Sequence, residues 1–415
     1  MGHVVRLAAF LVGIAGLAAP RVGAQVPERR EPDRGGIGSL DLAINHVGIS
    51  IGNSPRLTGL RLNWRDANVV RINGVNVTLW VPGSNPKAEI NGLALGLMEP
   101  RAARLSGIAV GGGAVLADER LTGIGLGTFM VNSHGSIAGI MASGLAVTAD
   151  GDVSGINAGG LAVVSRGALT GINLAGVSVT ASQGARGITV GGLAAVIQQR
   201  LSGVTLAGLA VVSEGPTNGV TAAGLGVAAR GDMTGIAMSG LATFSSGRMR
   251  GVQFGGLAVI AETGVSGITG SGVAVVSSGG VRGLTATGGA VMSGADARGV
   301  TVAGLGIIAD GDARWVTLTG GTLVARSSAA GLVMGLYRVR SPSVTGISLS
   351  ALQLRTIRLR GASVAAYNYV REQRGLSLGL FNDARRLHGI QLGLLNRARN
   401  NPRGLRWLPL INARF

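Results

Sequence analysis

The chain has 415 residues, of which 73 are glycine, none is cysteine and only 3% are aromatic. This composition excludes a core of large aromatic side chains, disulfide crosslinks and thiolate metal sites. The net charge is +18, and Lys87 is the only lysine, so the positive excess is carried by arginine. Such a surface attracts phosphate-bearing polymers and membrane headgroups.

The first 24 residues have the organisation of a secretory signal peptide. Arg6 precedes an apolar run from Leu7 to Ala19, and Val22-Gly23-Ala24 offers a small-residue cleavage site. An apolar run of this length is too short to span a bilayer as a helix. We therefore predict an exported protein located in the periplasm, in the outer membrane or at the cell surface. Residues 25–36, which are polar and contain proline and arginine, are predicted to form a linker.

Residues 37–106 contain repeat units at uneven spacing and are predicted to form an irregular N-terminal cap. From residue 107 to residue 330 a glycine recurs every sixteen residues. A unit this short cannot bury a core alone, so each unit must stack on its neighbours. These marker glycines are Gly107, Gly123, Gly139, Gly155, Gly171, Gly187, Gly203, Gly219, Gly235, Gly251, Gly267, Gly283 and Gly299, with Trp315 replacing the next one.

Within each unit, counting the marker glycine as position 1, apolar residues fall at positions 2, 4, 7 and 9. Their alternation indicates two short strands, and small or turn-forming residues at positions 5–6 and 12–14 indicate two turns. The pattern predicts an elongated parallel β-solenoid in which these four apolar positions face inward. Leu209 and Val211 are thus predicted to be buried and Ser213 to tolerate a charge.

An antiparallel outer-membrane β-barrel is the alternative fold. The chain ends on Phe415, an aromatic terminus typical of such barrels. Against a barrel, the central array has equal turns and almost no aromatic residues for girdles. The sequence favours the solenoid and leaves the barrel open.

Position 3 of the unit is predominantly threonine. In a solenoid with the predicted faces these side chains would form an outward ladder, which could bind an ordered surface or another copy of the protein. Threonine also suits any exposed strand position. The residues are Thr189, Thr205, Thr221, Thr269, Thr285, Thr301 and Thr317, preceded by Asn157 and Asn173.

Residues 331–415 form a third region, predicted to be a basic C-terminal cap. Two units in it, Gly375-Leu-Ser-Leu-Gly-Leu-Phe-Asn382 and Gly389-Ile-Gln-Leu-Gly-Leu-Leu-Asn396, recur at fourteen residues. They resemble a family of bacterial surface-repeat proteins with Gly-Leu-x-Ile/Leu-Gly-Leu-x-Asn repeats. The resemblance implies export and an envelope setting, and it carries over no catalytic or ligand residue.

The same region carries fourteen arginines against Glu372 and Asp383. Guanidinium groups bind phosphate bidentately, so the partners predicted for an exported protein are anionic envelope lipids or lipopolysaccharide. Export argues against nucleic acid. Thr356, Arg358 and Arg360 are predicted to share one strand face. Alternatively, the arginines only solvate a cap and oppose edge-to-edge association. The candidate anion-binding residues are Arg355, Arg358, Arg360, Arg385, Arg386, Arg397 and Arg399.

No catalytic constellation is evident in the sequence. The four histidines show no metal-ligand spacing, and the Asp-Gly-Asp sequences at 150–152 and 310–312 are typical of tight turns. We predict no catalytic, cofactor-binding or metal-binding residue and no small-molecule substrate. The predicted function is that of a non-enzymatic β-repeat protein of the bacterial cell envelope with a structural or surface-binding role. The alternative is an outer-membrane barrel with a pore or assembly role.

Overall fold

A computed structural model describes residues 38–83 and 85–415 of the chain. The predicted signal peptide, 1–24, and linker, 25–36, lie outside the described residues. The chain divides into two compact units, the first ending at Gly224 and the second running from Leu225 to Phe415. Both are built from β-strands, and the described residues contain no helix long and apolar enough to cross a membrane.

The described part of the first unit contains short strands joined by tight turns. They are β1 (Leu40–Ile44), β2 (Val47–Ile51), β3 (Arg56–Asn63), β4 (Arg71–Thr78), β5 (Glu89–Gly96), β6 (Arg101–Gly111), β7 (Ala114–Gly127), β8 (Met130–Ser133), β9 (Ser136–Ser143), β10 (Ala146–Ala149), β11 (Val153–Gly159), β12 (Ala162–Ser165), β13 (Leu169–Ala175), β14 (Ser178–Ala181), β15 (Ala185–Gly191), β16 (Ala194–Ile197), β17 (Leu201–Ala207), β18 (Ala210–Ser213) and β19 (Thr217–Ala223).

The second unit continues the pattern and ends in longer strands with a 3-10 turn at Arg403–Leu405. Its strands are β20 (Gly226–Ala229), β21 (Met233–Ser239), β22 (Ala242–Ser245), β23 (Arg248–Gly255), β24 (Ala258–Ala261), β25 (Gly264–Ser271), β26 (Ala274–Ser277), β27 (Gly280–Thr287), β28 (Ala290–Ser293), β29 (Ala297–Ala303), β30 (Gly306–Ala309), β31 (Ala313–Thr319), β32 (Thr322–Ala325), β33 (Ser328–Gly335), β34 (Arg338–Leu349), β35 (Gln353–Val364), β36 (Tyr367–Ala398) and β37 (Trp407–Arg414).

Within each compact unit, the strands of the array pair in parallel with the equivalent strand one repeat away. The long strands β13 and β15 align Gly171 with Gly187, and the short strands β12 and β14 align Val163 with Val179. The ladders are parallel and in register, which confirms the predicted β-solenoid and rules out the antiparallel barrel. Antiparallel pairs occur at β1–β2 and at β36–β37. One turn of the solenoid, which takes sixteen residues in the array and fifteen or fourteen towards the C-terminus, is called a rung below.

The marker glycines are required by the close approach of successive rungs. Gly187 has a φ of 110°, and a Cβ atom there would lie 2.2 Å from the carbonyl oxygen of Gly171. A side chain would therefore be strained by its backbone conformation and would push two rungs apart. Trp315 occupies the equivalent place with a φ of 88°, and its side chain is 73% exposed.

Of the four apolar positions predicted to face inward, only position 9 does so, and the prediction was wrong for positions 2, 4 and 7. Val211, at position 9, is fully buried, but Leu209, at position 7, is 43% exposed, and Ser213, at position 11, is buried. In the long strands, positions 3 and 5 point inward and positions 2 and 4 outward, as Asn173 (buried) and Leu174 (40% exposed) illustrate. Positions 5 and 11 are mostly alanine, glycine or serine. The interior is therefore narrow, and the bulkier aliphatic side chains of positions 2 and 4 face outward.

The polar ladder accordingly lies inside the solenoid, which corrects the predicted outward threonine ladder. Thr189 and Thr205 are 1% exposed, and the Asn157 side chain donates to the Asn173 side-chain oxygen at 3.0 Å. Every threonine named at position 3 is buried. These hydroxyls are therefore enclosed, and the threonines at position 3 offer no surface to an ordered ligand.

The repeated asparagine of the C-terminal units has the same role. Asn368, Asn382 and Asn396 are buried one above another, and each successive pair is joined by a side-chain hydrogen bond of 2.7 Å. Asn382 Nδ2 also donates to the backbone carbonyl of Leu392. Stacked amides satisfy one another along such a ladder, and this explains why asparagine recurs at fourteen residues.

Candidate anion-binding groove

A polar groove of about 1070 Å³ opens on the second unit. Its floor and walls come from β32, β34, β35 and β36, and it includes the aromatic ring of Tyr369 and the carboxylate of Asp383. Asp383 is the one acidic residue among those that line it. Six arginines line this arginine groove: Arg326, Arg340, Arg355, Arg371, Arg385 and Arg399.

Strand register brings these arginines together. Arg340 of β34 lies opposite Arg355 of β35, which in turn lies opposite Tyr369 of β36. Arg371, Arg385 and Arg399 follow at intervals of fourteen residues, the period of the C-terminal units. Neighbouring rungs are about 4.8 Å apart, so side chains at equivalent positions are stacked closely enough to share a ligand.

The groove has an excess of positive charge. Asp383 accepts two hydrogen bonds from Arg399, at 2.7 and 3.1 Å, which raises the pKa of that guanidinium, and Arg326 pairs with Asp310 at 3.2 Å. Within the described part of the chain, no carboxylate forms an ion pair with the remaining four lining arginines, Arg340, Arg355, Arg371 and Arg385.

Of the seven arginines predicted to bind anions, three line the arginine groove, one borders it and three lie outside it. Arg355, Arg385 and Arg399 line the groove. Arg397 borders it, 3.8 Å from Asp383 and with its guanidinium 4.6 Å from the centre of the Trp407 ring.

The other three predicted arginines lie outside the arginine groove. Arg386 pairs with Glu372 at 3.2 Å, and Arg358 lies opposite the same glutamate in the strand register. Arg360 is exposed beside Gly361, which pairs with Gly346 in the strand register. These three arginines contribute to a broader basic surface.

The prediction that Thr356 shares a face with Arg358 and Arg360 was wrong. Thr356 is 6% exposed, and its hydroxyl donates to the carbonyl oxygens of Pro342 and Arg358. Alternation is interrupted here, because both Ile357 and Arg358 are exposed before Leu359 turns inward. A threonine satisfied by local backbone carbonyls at a bend does not follow simple strand parity.

Sequence reasoning did not include Arg326, Arg340, Arg371, Tyr369 and Asp383 in the site. A signal for three of them was present in the sequence. Arg371 precedes Arg385 by fourteen residues, Asp383 precedes Arg397 by the same interval, and Arg340 precedes Arg355 by fifteen. These intervals are visible in the sequence. They do not show which residues are neighbours, because the number of residues per rung falls from sixteen to fourteen along the chain.

The arrangement is suited to holding phosphate groups. A planar guanidinium donates two parallel hydrogen bonds to one phosphate, and several stacked guanidinium groups can hold more than one anionic group. Among the described residues, no group of three or more histidine, aspartate or glutamate side chains could hold a metal ion.

Comparisons of the chain with protein-family models, curated proteins and solved structures found no match.

Proposed function

We propose that this chain is an exported, non-enzymatic β-solenoid protein of the bacterial cell envelope whose arginine groove binds phosphate groups of envelope lipids, either phospholipid or lipopolysaccharide. The observation that carries the proposal is the convergence of Arg340, Arg355, Arg371 and Arg385 on one groove without a carboxylate partner among the described residues. The envelope setting is supported by the signal-peptide pattern and by the resemblance of the C-terminal units to surface-repeat proteins.

The energetics of the groove favour an anionic ligand. Like charges held about 5 Å apart repel each other, and a ligand phosphate converts this repulsion into attraction. The strand ladder fixes the positions of the Cα atoms that carry these side chains, so less freedom is lost when a ligand binds than on a flexible loop. The parallel array thus acts as a rigid support for the groove.

A vesicle-binding assay tests the proposal. The mature chain is titrated with vesicles of phosphatidylcholine alone or of phosphatidylcholine with phosphatidylglycerol, over a salt series. We expect binding only to the anionic vesicles, weakening as salt rises. Replacing the four unpaired groove arginines by glutamine should weaken binding by up to about a thousandfold, since each charge near an anionic surface contributes about 1 kcal/mol.

The matched control removes the same charge elsewhere on the second unit. It replaces Arg248, Arg250, Arg282 and Arg360, all exposed and outside the groove, by glutamine. We expect a smaller loss of binding than in the groove variant. Equal losses would show that only net charge matters, and no binding at low salt would refute the proposal. Unchanged lipid binding with new self-association of the groove variant would support the alternative role of keeping copies apart.

A further inference from the structure

A partly exposed apolar column, in which Met292 and Ile308 are exposed and the other members half-buried, leads directly into the arginine groove. It consists of position 10 of successive rungs, which the parallel register places one above another. Val324, its last member, lines the groove and pairs with Arg340. Met292 and Ile308 are 42% and 40% exposed. In order, the column is Phe244, Ile260, Val276, Met292, Ile308 and Val324.

A second exposed apolar row, interrupted by Gly289 and Gly321, runs beside this column. Its members stand at position 7 of the rungs, and Leu257, Val273 and Leu305 are 51%, 56% and 74% exposed. Between the two rows, position 8 carries only small side chains, so an apolar trough follows the stack. The small residues are Ala258, Ala274, Ala290 and Gly306.

The trough has the length of a lipid chain. Its six rungs, at about 4.8 Å per step, extend roughly 24 Å along the stack. On the turn side its border includes Asp310, which is paired with Arg326 of the groove. An exposed apolar strip of this extent on a protein surface marks an interaction site.

The junction of trough and groove contains an unpartnered donor. Arg338 of β34 lies between Thr322 and Gln353 in the strand register, at the level where the small residues of the trough give way to the groove. Its Nε atom is buried and has no hydrogen-bond partner among the described residues. The Arg338 guanidinium adds a further positive charge at this junction.

We propose that the trough and the arginine groove together form the site of a single amphiphile, a phosphate-bearing lipid whose phosphate lies among the arginines and whose acyl chain lies along the trough. This inference rests on the proposed function and adds the acyl chain to it. Charge complementarity selects this occupant, because the trough is apolar and its end is cationic. A second copy would bring an equally basic surface, since residues 225–415 carry 21 arginines against seven carboxylates, a net charge of +14.

The test compares a phosphate ligand with and without its chain. Binding of oleoyl lysophosphatidate, below its micelle concentration, and of glycerol phosphate to the mature chain is measured by isothermal titration calorimetry. We expect the acylated ligand to bind at least about a hundredfold more tightly, because several methylenes leave water. Shorter acyl chains should bind progressively more weakly until the trough is no longer filled.

Paired variants separate the trough from apolar surface in general. M292T combined with I308T changes two trough residues, and L284T combined with I347T changes two residues that are 47% and 50% exposed at position 2, away from the trough. We expect the trough variant to lose about tenfold in affinity for the acylated ligand and nothing for glycerol phosphate. The control variant should bind both ligands as the unmodified chain does. Circular dichroism checks that both variants keep the strand content.

The outcomes distinguish the two proposals. Equal affinity for both ligands would overturn the acyl site and leave the phosphate site standing. Failure of both ligands to bind would overturn the proposed function together with this inference. If the trough variant keeps its lipid affinity but loses a concentration-dependent dimer, the trough is covered by a second copy and the lipid assignment is wrong.

Discussion

The narrow interior of the solenoid makes a sharp prediction about three neighbouring residues of one rung. Val211 is 0% exposed, between the strands of its own rung and opposite Ala195 of the rung before. Ser213 is 1% exposed, and its hydroxyl donates to the carbonyls of Gln199 and Gly215 at 3.0 Å each. Leu209 is 43% exposed. Aspartate should therefore be damaging at Val211 and Ser213 and mild at Leu209.

The magnitudes follow from burial. Val211→Asp loses about 2 kcal/mol of valine burial and adds an uncompensated buried carboxylate, which costs a further 3–5 kcal/mol or so. Ser213→Asp also buries a charge, and it replaces a donor by an acceptor facing two carbonyl oxygens, so we expect a loss of about 3–5 kcal/mol. Leu209→Asp keeps its carboxylate in water and should cost within about 1 kcal/mol.

The three variants are compared by urea denaturation followed by circular dichroism, with limited proteolysis to detect local opening of rungs. Repeat arrays can unfold in parts, so the earliest transition is the quantity to compare. Val211→Asn, which carries no charge, separates the cost of the charge from that of lost packing. If Leu209→Asp were as damaging as Val211→Asp, the strand faces described above would be wrong.

Two further predictions concern backbone strain and a buried acid. Gly187→Ala should destabilise the first unit by at least about 2 kcal/mol, because its φ is 110° and the new Cβ would meet the Gly171 carbonyl. Trp315→Gly should instead raise thermal stability, because it relieves a φ of 88°. Shifts of the melting temperature in the same direction for both variants would contradict this reasoning. Burial raises the pKa of Glu99 above 4.5 despite the nearby Arg101. The folded state therefore binds this proton up to a higher pH than the unfolded chain does. The stability of the fold falls as pH rises from 4.5 through the raised pKa, because the buried carboxylate then becomes charged. Glu99→Gln should therefore stabilise at neutral pH and have little effect well below pH 4.5; a gain of equal size at both pH values would contradict this assignment.

The sequence by itself determined the repeat and its stacking. A glycine every sixteen residues, with two apolar strand segments and two turns between, gives equal units and favours parallel stacking, which the β13–β15 register confirms. The sequence did not determine which face of each strand points inward. Alternation identifies two faces but does not say which points inward, and here the small residues at positions 5 and 11 make the interior too narrow for leucine and isoleucine at positions 2 and 4.

Only the tertiary structure decided which arginines meet. Arg340 and Arg355 are fifteen residues apart, whereas Arg371, Arg385 and Arg399 follow at fourteen, so no single period in the sequence aligns all five. The parallel register places Arg340 opposite Arg355 and Arg355 opposite Tyr369, two residues before Arg371, so the groove draws its arginines from two different positions of successive rungs. The apolar column reaches Arg340 through the same register. Register depends on hydrogen bonds between rungs distant in sequence, and this is why the groove could not be assembled from residue spacing alone.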